Sequence, residues 1–250
     1  MSKINNVEYD IYNCSTGKAN YSQRNNKFTW NCVRNSALIS PGDSEKDRLI
    51  KASTMCNVTC MCMGLDYSGF KFPKGKFEQP EDNLCDFIIN SAEVDAEYKR
   101  TVPAMYEAYK RGDKDSYTPN EIHALLSMGT NLWMGTKATQ FTTDGNIRDI
   151  INSEILTANR PVIISGVYRN LNHIVDLVGV AVKAGCDPKT TAPDYLIIDD
   201  PYGNLVQGYD KNLSGNDIII PWQYFIDQTK PLKNATTKWF HTFNKPLAII

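Results

Sequence analysis

Residues 55–66 read Met-Cys-Asn-Val-Thr-Cys-Met-Cys-Met-Gly-Leu-Asp. Apolar side chains recur in this stretch at the spacing of one helix face, at Val58, Met61, Cys62 and Leu65. The stretch therefore predicts a helix with one buried face. Ser53 and Thr54 precede it, and a hydroxyl ahead of the first turn is the expected N-cap. Cys56 is then expected in the first turn of this helix.

Two interpretations of Cys56 follow from that position. A thiol at a helix N-terminus lies among unpaired backbone N–H groups and the positive end of the helix dipole, which favour the nucleophilic thiolate. The alternative is a buried structural cysteine. A metal site with Cys60 and Cys62 is not expected, because the three thiols point around the helix and no histidine lies nearby in sequence.

The composition is that of an ordinary globular chain of 250 residues, 42% hydrophobic and 22% charged. It predicts a single domain over residues 1–250. The net charge of -1 arises from mixed acidic and basic residues, so nucleic acid is not an expected partner. No run reaches the roughly 18 apolar residues of a membrane span. The odd number of cysteines, seven, and the absence of an apolar h-region predict reduced thiols.

Working outward from residues 55–66, the middle of the chain has helical periodicity. Helices are predicted at 93–111 and 145–157, and from Pro119 with Thr118 as its N-cap. After Arg160 the pattern becomes that of short β-branched strands, at 161–165, 174–182, 195–199 and 218–220. Helices followed by strands predict an α+β domain with a segregated antiparallel sheet.

The chain has three histidines, and their contexts differ. His123 lies inside a predicted helix and is expected to be a packing or surface residue. His241 lies in an aromatic stretch that predicts a terminal strand. His173 follows a polar loop and begins the longest apolar strand, where a side chain is rigidly held beside a cleft. That position suits a general base, so His173 is the candidate partner of Cys56.

A catalytic imidazole of this kind needs a third group to orient its ring. Asp176 is three residues along the strand from His173 and so faces the opposite side. Asp199 and Asp200 end the next strong strand, and a hairpin between the strands would bring them beside His173. Adjacent residues face opposite ways, so only one of the two can serve, and the strand pattern leaves the choice open.

Three motifs in this order resemble the C39-like branch of the papain-like cysteine peptidases. They are Cys56-Asn-Val-Thr, Asn172-His173 and Ile198-Asp-Asp-Pro-Tyr-Gly203. The match covers roughly residues 21–225. It implies a papain-like fold, with a helical N-terminal half packed on a C-terminal antiparallel β-sheet, and it implies that Asp200 is the orienting acid.

The resemblance also extends upstream to Tyr21-Ser-Gln23-Arg-Asn-Asn. In the family the glutamine of this segment donates its side-chain amide to the oxyanion hole, so Gln23 is implied in that role. Residues 1–20 are then an N-terminal extension and residues 31–51 an insertion. The insertion leaves Cys32 as a rival to the motif cysteine, and Asn57 stands where many relatives have glycine.

The relatives implied by these motifs occur in bacteria and phages and cleave cell-wall peptides. The resemblance implies a cysteine peptidase without cofactor or metal, acting on peptidoglycan peptides as a phage endolysin or a wall hydrolase. Leader-peptide processing and a cytosolic peptidase or amidase are alternatives. A non-catalytic wall-binding or virion structural module is an alternative of another class. Synthesis in the cytoplasm, with release through a holin-type pore or carriage in a virion, is the expected route, and the oligomeric state stays open.

Overall fold

The computed structural model describes residues 2–28, 44, 55–103, 106–107, 119–143, 145–168, 171–209, 213–228 and 239–246. The strands are β1 Ser2–Ile4, β2 Val7–Asn13, β3 Thr139–Thr142, β4 Val162–Tyr168, β5 Leu171–Lys183, β6 Tyr195–Asp199, β7 Ile218–Pro221 and β8 Phe240–Phe243. The helices are α1 Cys56–Tyr67, α2 Pro80–Asn90, α3 Ala92–Thr101, α4 Pro119–Met134, α5 Ile147–Ile150 and α6 Trp222–Gln228. A π-helical segment, Ile151–Ala158, continues α5, and a 3₁₀ turn spans Gln23–Asn25.

The strands of the described ranges form one antiparallel sheet centred on β5. One edge of β5 pairs first with β4 and then with β2, and the other edge pairs with β6, which in turn pairs with β7. The far side of β4 continues through β8 to β3. Helices α1 to α4 come mostly before these strands in the chain, so the predicted α+β class is confirmed.

Within the predicted N-terminal extension, β1 and β2 form a hairpin that joins the sheet. Asn5 and Asn6 turn it, both with positive φ (51° and 66°), which is the backbone of a tight two-residue hairpin turn. The strand β2 pairs with β5 through Gly179, where a Cβ would lie 2.4 Å from the carbonyl oxygen of Tyr12. Polar residues facing solvent hid this hairpin from the sequence pattern. The predicted insertion, residues 31–51, lies outside the described residues except for Ser44.

Helix α1 is buried on nearly all sides, so the expectation of a single buried face is wrong. Only Cys56 and Asp66 of its residues keep appreciable exposure. The helix packs against β4 and β5 on one side and against α2 on another, which removes any solvent-facing stripe. Its N-cap is Met55, without a side-chain capping bond, and Ser53 and Thr54 lie outside the described residues.

Most remaining predicted elements are found with small changes of boundary, but the predicted 93–111 helix is found only as α3, Ala92–Thr101, and most of the rest of its range lies outside the described residues. Helix α4 begins at Pro119 as predicted, whereas its expected cap Thr118 lies outside the described residues. The predicted 145–157 helix exists, but its second half is π-helical. Strand β3 was not predicted. None of the helices in the described ranges has the length and apolar character needed to cross a membrane.

Two buried carboxyl groups face each other across β5 and β6, where Asp176 and Asp199 are register partners. Asp199 accepts hydrogen bonds from the Tyr67 hydroxyl (2.8 Å) and the Asp217 N–H (2.7 Å). Neither oxygen of Asp176 has a hydrogen-bond partner among the described residues. Burial, reinforced by the charge of Asp199, raises the pKa of Asp176 well above its ordinary value of 3.8.

We expect Asp176→Asn to remove a pH-dependent destabilisation. The folded protein holds the Asp176 proton above pH 3.8 while the unfolded chain releases it, so the free energy of unfolding falls as pH rises. The limit is about 1.4 kcal/mol per pH unit for one group. Urea unfolding at pH 5.5 and 8.5 should therefore show the variant gaining stability relative to wild type at the higher pH. An equal difference at both pH values would contradict this.

Candidate active site

Cys56 is the first residue of α1, and its thiol is half-buried. Within the first helical turn the Val58 N–H donates to Asn57 Oδ1 at 2.9 Å, whereas the Cys56 N–H has no intrahelical acceptor. Cys56 lies close enough to the ring of His173, at the start of β5, to raise the pKa of that ring. Helix α1 and strand β5 thus bring together Cys56 and His173, which are 117 positions apart in the sequence (173 − 56).

Asp200 lies on the other side of the imidazole, so that Cys56, His173 and Asp200 form a row, hereafter the candidate catalytic row. His173 Nε2 lies 2.7 Å from Asp200 Oδ1, and both side chains are buried. With Nε2 bonded to the carboxylate, Nδ1 is the ring nitrogen left for Cys56. The antiparallel pairing of β5 with β6 produces this contact, because it places the end of β6 beside the start of β5. The predicted meeting of these strand ends is confirmed.

The backbone around Asp200 is fixed from several directions. Its Oδ1 also accepts the N–H of Tyr202 at 2.8 Å, and its own N–H donates to the carbonyl of Gly215 at 2.9 Å. Gly215 approaches so closely that a Cβ there would lie 1.9 Å from the Asp200 carbonyl oxygen. Asn20 Nδ2 donates to that same carbonyl oxygen at 3.2 Å. Asp200 therefore meets His173 in a preset orientation.

Asp199, which the strand pattern left as an alternative, faces away from His173. Its carboxylate is held by Tyr67 and by the Asp217 N–H on the far side of β6. Burial is the main reason that its pKa rises to about 6, while those two hydrogen bonds oppose the rise. The alternation of side chains along a strand thus separates a structural carboxyl group from the one that touches the imidazole.

Gln23 begins the 3₁₀ turn next to this site, and its side chain is fully buried. Its N–H donates to the carbonyl of Pro201 at 2.9 Å, which ties the turn to the residue after Asp200. Asn26 Nδ2 donates to the Thr59 hydroxyl at 3.0 Å, which ties the same segment to α1. The structure therefore places Gln23 between the helix that carries the thiol and the corner that carries the carboxylate.

The electrostatics of the row favour a charged imidazole. Burial by itself would lower the pKa of His173, but the Asp200 carboxylate and the Cys56 thiol both favour the cation. Together they raise this pKa from 6.5 to about 10. At neutral pH the ring is then an imidazolium, with Asp200 on one side and Cys56 on the other.

The other two histidines have structural roles. His123 and His241 are buried and share a 2.9 Å hydrogen bond between Nδ1 and Nε2, beside the ring of Trp239. Burial lowers the pKa of His123 to about 3, and burial together with His123 lowers that of His241. Both rings are therefore neutral packing groups, in agreement with the predicted helix-packing and terminal-strand positions.

Neither metal ligands nor the larger cavities point to another site in the described ranges. No group of three or more metal-ligating side chains is assembled there. Hollows of about 700 Å³ and 450 Å³ lie among α3, α4 and β3, and none of the four candidate residues lines them. A smaller one, about 320 Å³, is lined by Asp200 and by residues of the Gln23 turn. Cys32 lies outside the described residues.

Two tyrosines beside the imidazole, and the arginine that contacts them, were not predicted from the sequence. Tyr202 and Tyr209 set their rings edge-on to His173, at 6.2 Å and 5.6 Å between centroids, and Arg24 contacts both tyrosines. Tyr202 carried a signal, since it follows Asp200-Pro201 in a turn. Nothing in the spacing of Arg24 or Tyr209 indicated that they would meet.

Comparison with family models, with curated proteins and with solved structures finds no match for this chain. The interpretation of the site rests on its own geometry and on the motifs in the sequence.

Proposed function

We propose that this chain is a cysteine peptidase of papain-like fold, which cleaves amide bonds by acyl transfer through Cys56. The observation that carries the proposal is the 2.7 Å contact of His173 with Asp200, on a ring whose pKa is also raised by Cys56. A nucleophile, a base that contacts it and an acid that orients the base are the three parts that this chemistry requires.

The reaction begins with the Cys56 thiolate held against the His173 imidazolium. The sulfur attacks the amide carbonyl carbon, and the C=O π electrons move to oxygen to give a tetrahedral oxyanion. The Cys56 N–H and the Gln23 side-chain amide are the proposed donors to this oxyanion. Collapse breaks the C–N bond, and His173 transfers its proton to the departing amine.

Hydrolysis of the thioester completes the cycle. Neutral His173 takes a proton from a water molecule, and the resulting hydroxide attacks the acyl carbon. The C–S bond then breaks, releasing a carboxylic acid and returning the thiolate–imidazolium pair. Asp200 keeps the ring oriented through both steps and stabilises its cation, with Oδ1 fixed by the Tyr202 N–H.

Peptidoglycan stem or cross-bridge peptides are the proposed substrates. Support comes from the order of the Gln23, Cys56, His173 and Asp200 motifs, which resembles that of wall-active relatives. The exposed part of the Cys56 side chain, in a chain where most cysteines of the described ranges are buried, is consistent with access for a macromolecular substrate.

We expect purified protein to release new amino groups from peptidoglycan and to carry a transient acyl group on Cys56. Release would be followed with an amine-reactive reagent on walls of several cross-bridge types. The acyl-enzyme would be sought by acid quenching and peptide mass spectrometry. Prior alkylation with iodoacetamide should remove both signals.

Two results would contradict the proposal. Amine release that survives complete alkylation of Cys56 would exclude the thiol mechanism. Binding to walls without amine release from any wall type or peptide would favour the non-catalytic module instead.

A further inference from the structure

Arg24 links the Gln23 turn to the loop that follows Asp200. Its Nε donates to the carbonyl of Tyr202 at 3.0 Å, and its Nη2 donates to the carbonyl of Tyr209 at 2.7 Å. The guanidinium also lies over the Tyr202 ring, 4.0 Å from its centroid. A single planar group therefore holds both ends of the 202–209 segment, hereafter the tyrosine loop.

The tyrosine loop is in direct contact with the candidate catalytic row. Its first N–H, from Tyr202, donates to Asp200 Oδ1, the same oxygen that bonds His173. Its two tyrosine rings stand edge-on to the imidazole and lie 5.2 Å from each other. The loop thus orients the carboxylate and covers the ring, which leaves the imidazole 6% exposed.

We propose that Arg24 is a positioning residue that holds the tyrosine loop closed over His173 and Asp200 and so keeps the imidazole in place beside Cys56. Its donors are directed at backbone carbonyls, and its face is directed at an aromatic ring. A guanidinium meets these needs because its donors form a rigid fork and its plane stacks on rings. A lysine keeps the charge but cannot hold two carbonyls in one plane. The effect on cleavage rests on the proposed function, whereas the effect on the position of the imidazole does not.

The test is the pH dependence of Cys56 alkylation in Arg24→Gln, which needs no substrate. The rate of iodoacetamide modification of Cys56 would be followed by peptide mass spectrometry from pH 5 to 9. We expect the variant to lose about tenfold in rate at pH 6, because a displaced imidazole no longer assists the thiol. At pH 9 the two rates should agree within about twofold, since simple ionisation of the thiol then suffices.

Arg148 supplies a matched control. Its Nη2 also donates to backbone carbonyls of a loop, at Pro188 (3.3 Å), Lys189 (3.4 Å) and Thr191 (2.8 Å). Arg148→Gln therefore removes the same kind of arginine-to-backbone hydrogen bonds, at a loop far from the imidazole in the fold. It should lower thermal stability without altering the ratio of the pH 6 and pH 9 alkylation rates.

Arg24→Lys keeps the test informative even where Arg24→Gln does not fold. We expect at least a threefold loss at pH 6, because one carbonyl contact and the stacking are lost while the charge remains. A wild-type profile in the lysine variant would overturn the proposal. So would equal loss at pH 6 and pH 9, which indicates general unfolding.

A rise in KM with an unchanged alkylation profile would make Arg24 a substrate contact instead. Failure of the protein to cleave any amide would leave the alkylation comparison intact, so the two proposals fail separately.

Discussion

Cys56→Ala and His173→Ala should each abolish amide cleavage, and the double variant should be no less active than either. The two side chains interact and are proposed to act on one proton, so removing one leaves the other without a role. Without His173 the thiolate loses its adjacent cation and the amine loses its proton donor. General acid–base catalysis of this kind contributes roughly 10²–10⁴-fold, and the nucleophile contributes at least as much. Amine release and kcat/KM would be measured for all three variants.

Cys186→Ala is the matched control for the nucleophile. Cys186 is the other half-buried cysteine in the described part of the chain, and it lies in the turn after β5. Its removal should leave kcat/KM unchanged. Activity that persists in Cys56→Ala but disappears in Cys186→Ala would reassign the nucleophile.

The sequence predicts the parts of this fold where local pattern and tertiary packing agree. The β-branched runs between Pro161 and Ile220 became strands because a central sheet buries both faces of β5 and β6. His173 could be selected from its place at a strand start. Strand pairing then determined which carboxylate it meets: Asp200 touches the imidazole while Asp199 bonds Tyr67.

Other features could not be predicted because they depend on contacts distant in sequence. The β1–β2 hairpin pairs with β5 across more than 160 residues, and the polar side chains on its exposed face conceal the alternation. Helix α1 packs on both the sheet and α2, so its buried residues run all round it. The hydrogen bonds of Arg24 go to backbone carbonyl groups, and such contacts leave no residue-type pattern in the sequence.

Asp200→Asn should shift the alkaline limit of activity to lower pH while retaining much of the geometry. The amide oxygen can still accept from His173 Nε2 and the Tyr202 N–H, and Asp200 Oδ2 has no hydrogen-bond partner within the described ranges to lose. The negative charge is lost, however, and that charge helps to raise the pKa of His173 to about 10. The imidazolium is present below this pKa and lost above it. Lowering the pKa therefore removes the cation at a lower pH.

A profile of kcat/KM against pH from 5 to 11 measures this shift. We expect the wild-type rate to fall near pH 10 and the Asp200→Asn rate to fall at least about one pH unit earlier, with roughly a tenfold loss at pH 7. Asp199→Asn is the matched control, because its carboxylate bonds Tyr67 and the Asp217 N–H instead of the imidazole. It should change the free energy of unfolding and leave the alkaline limit in place. A shift of that limit in Asp199→Asn but not in Asp200→Asn would show that the orienting acid is misassigned, because only the carboxylate in contact with His173 can hold its proton to high pH.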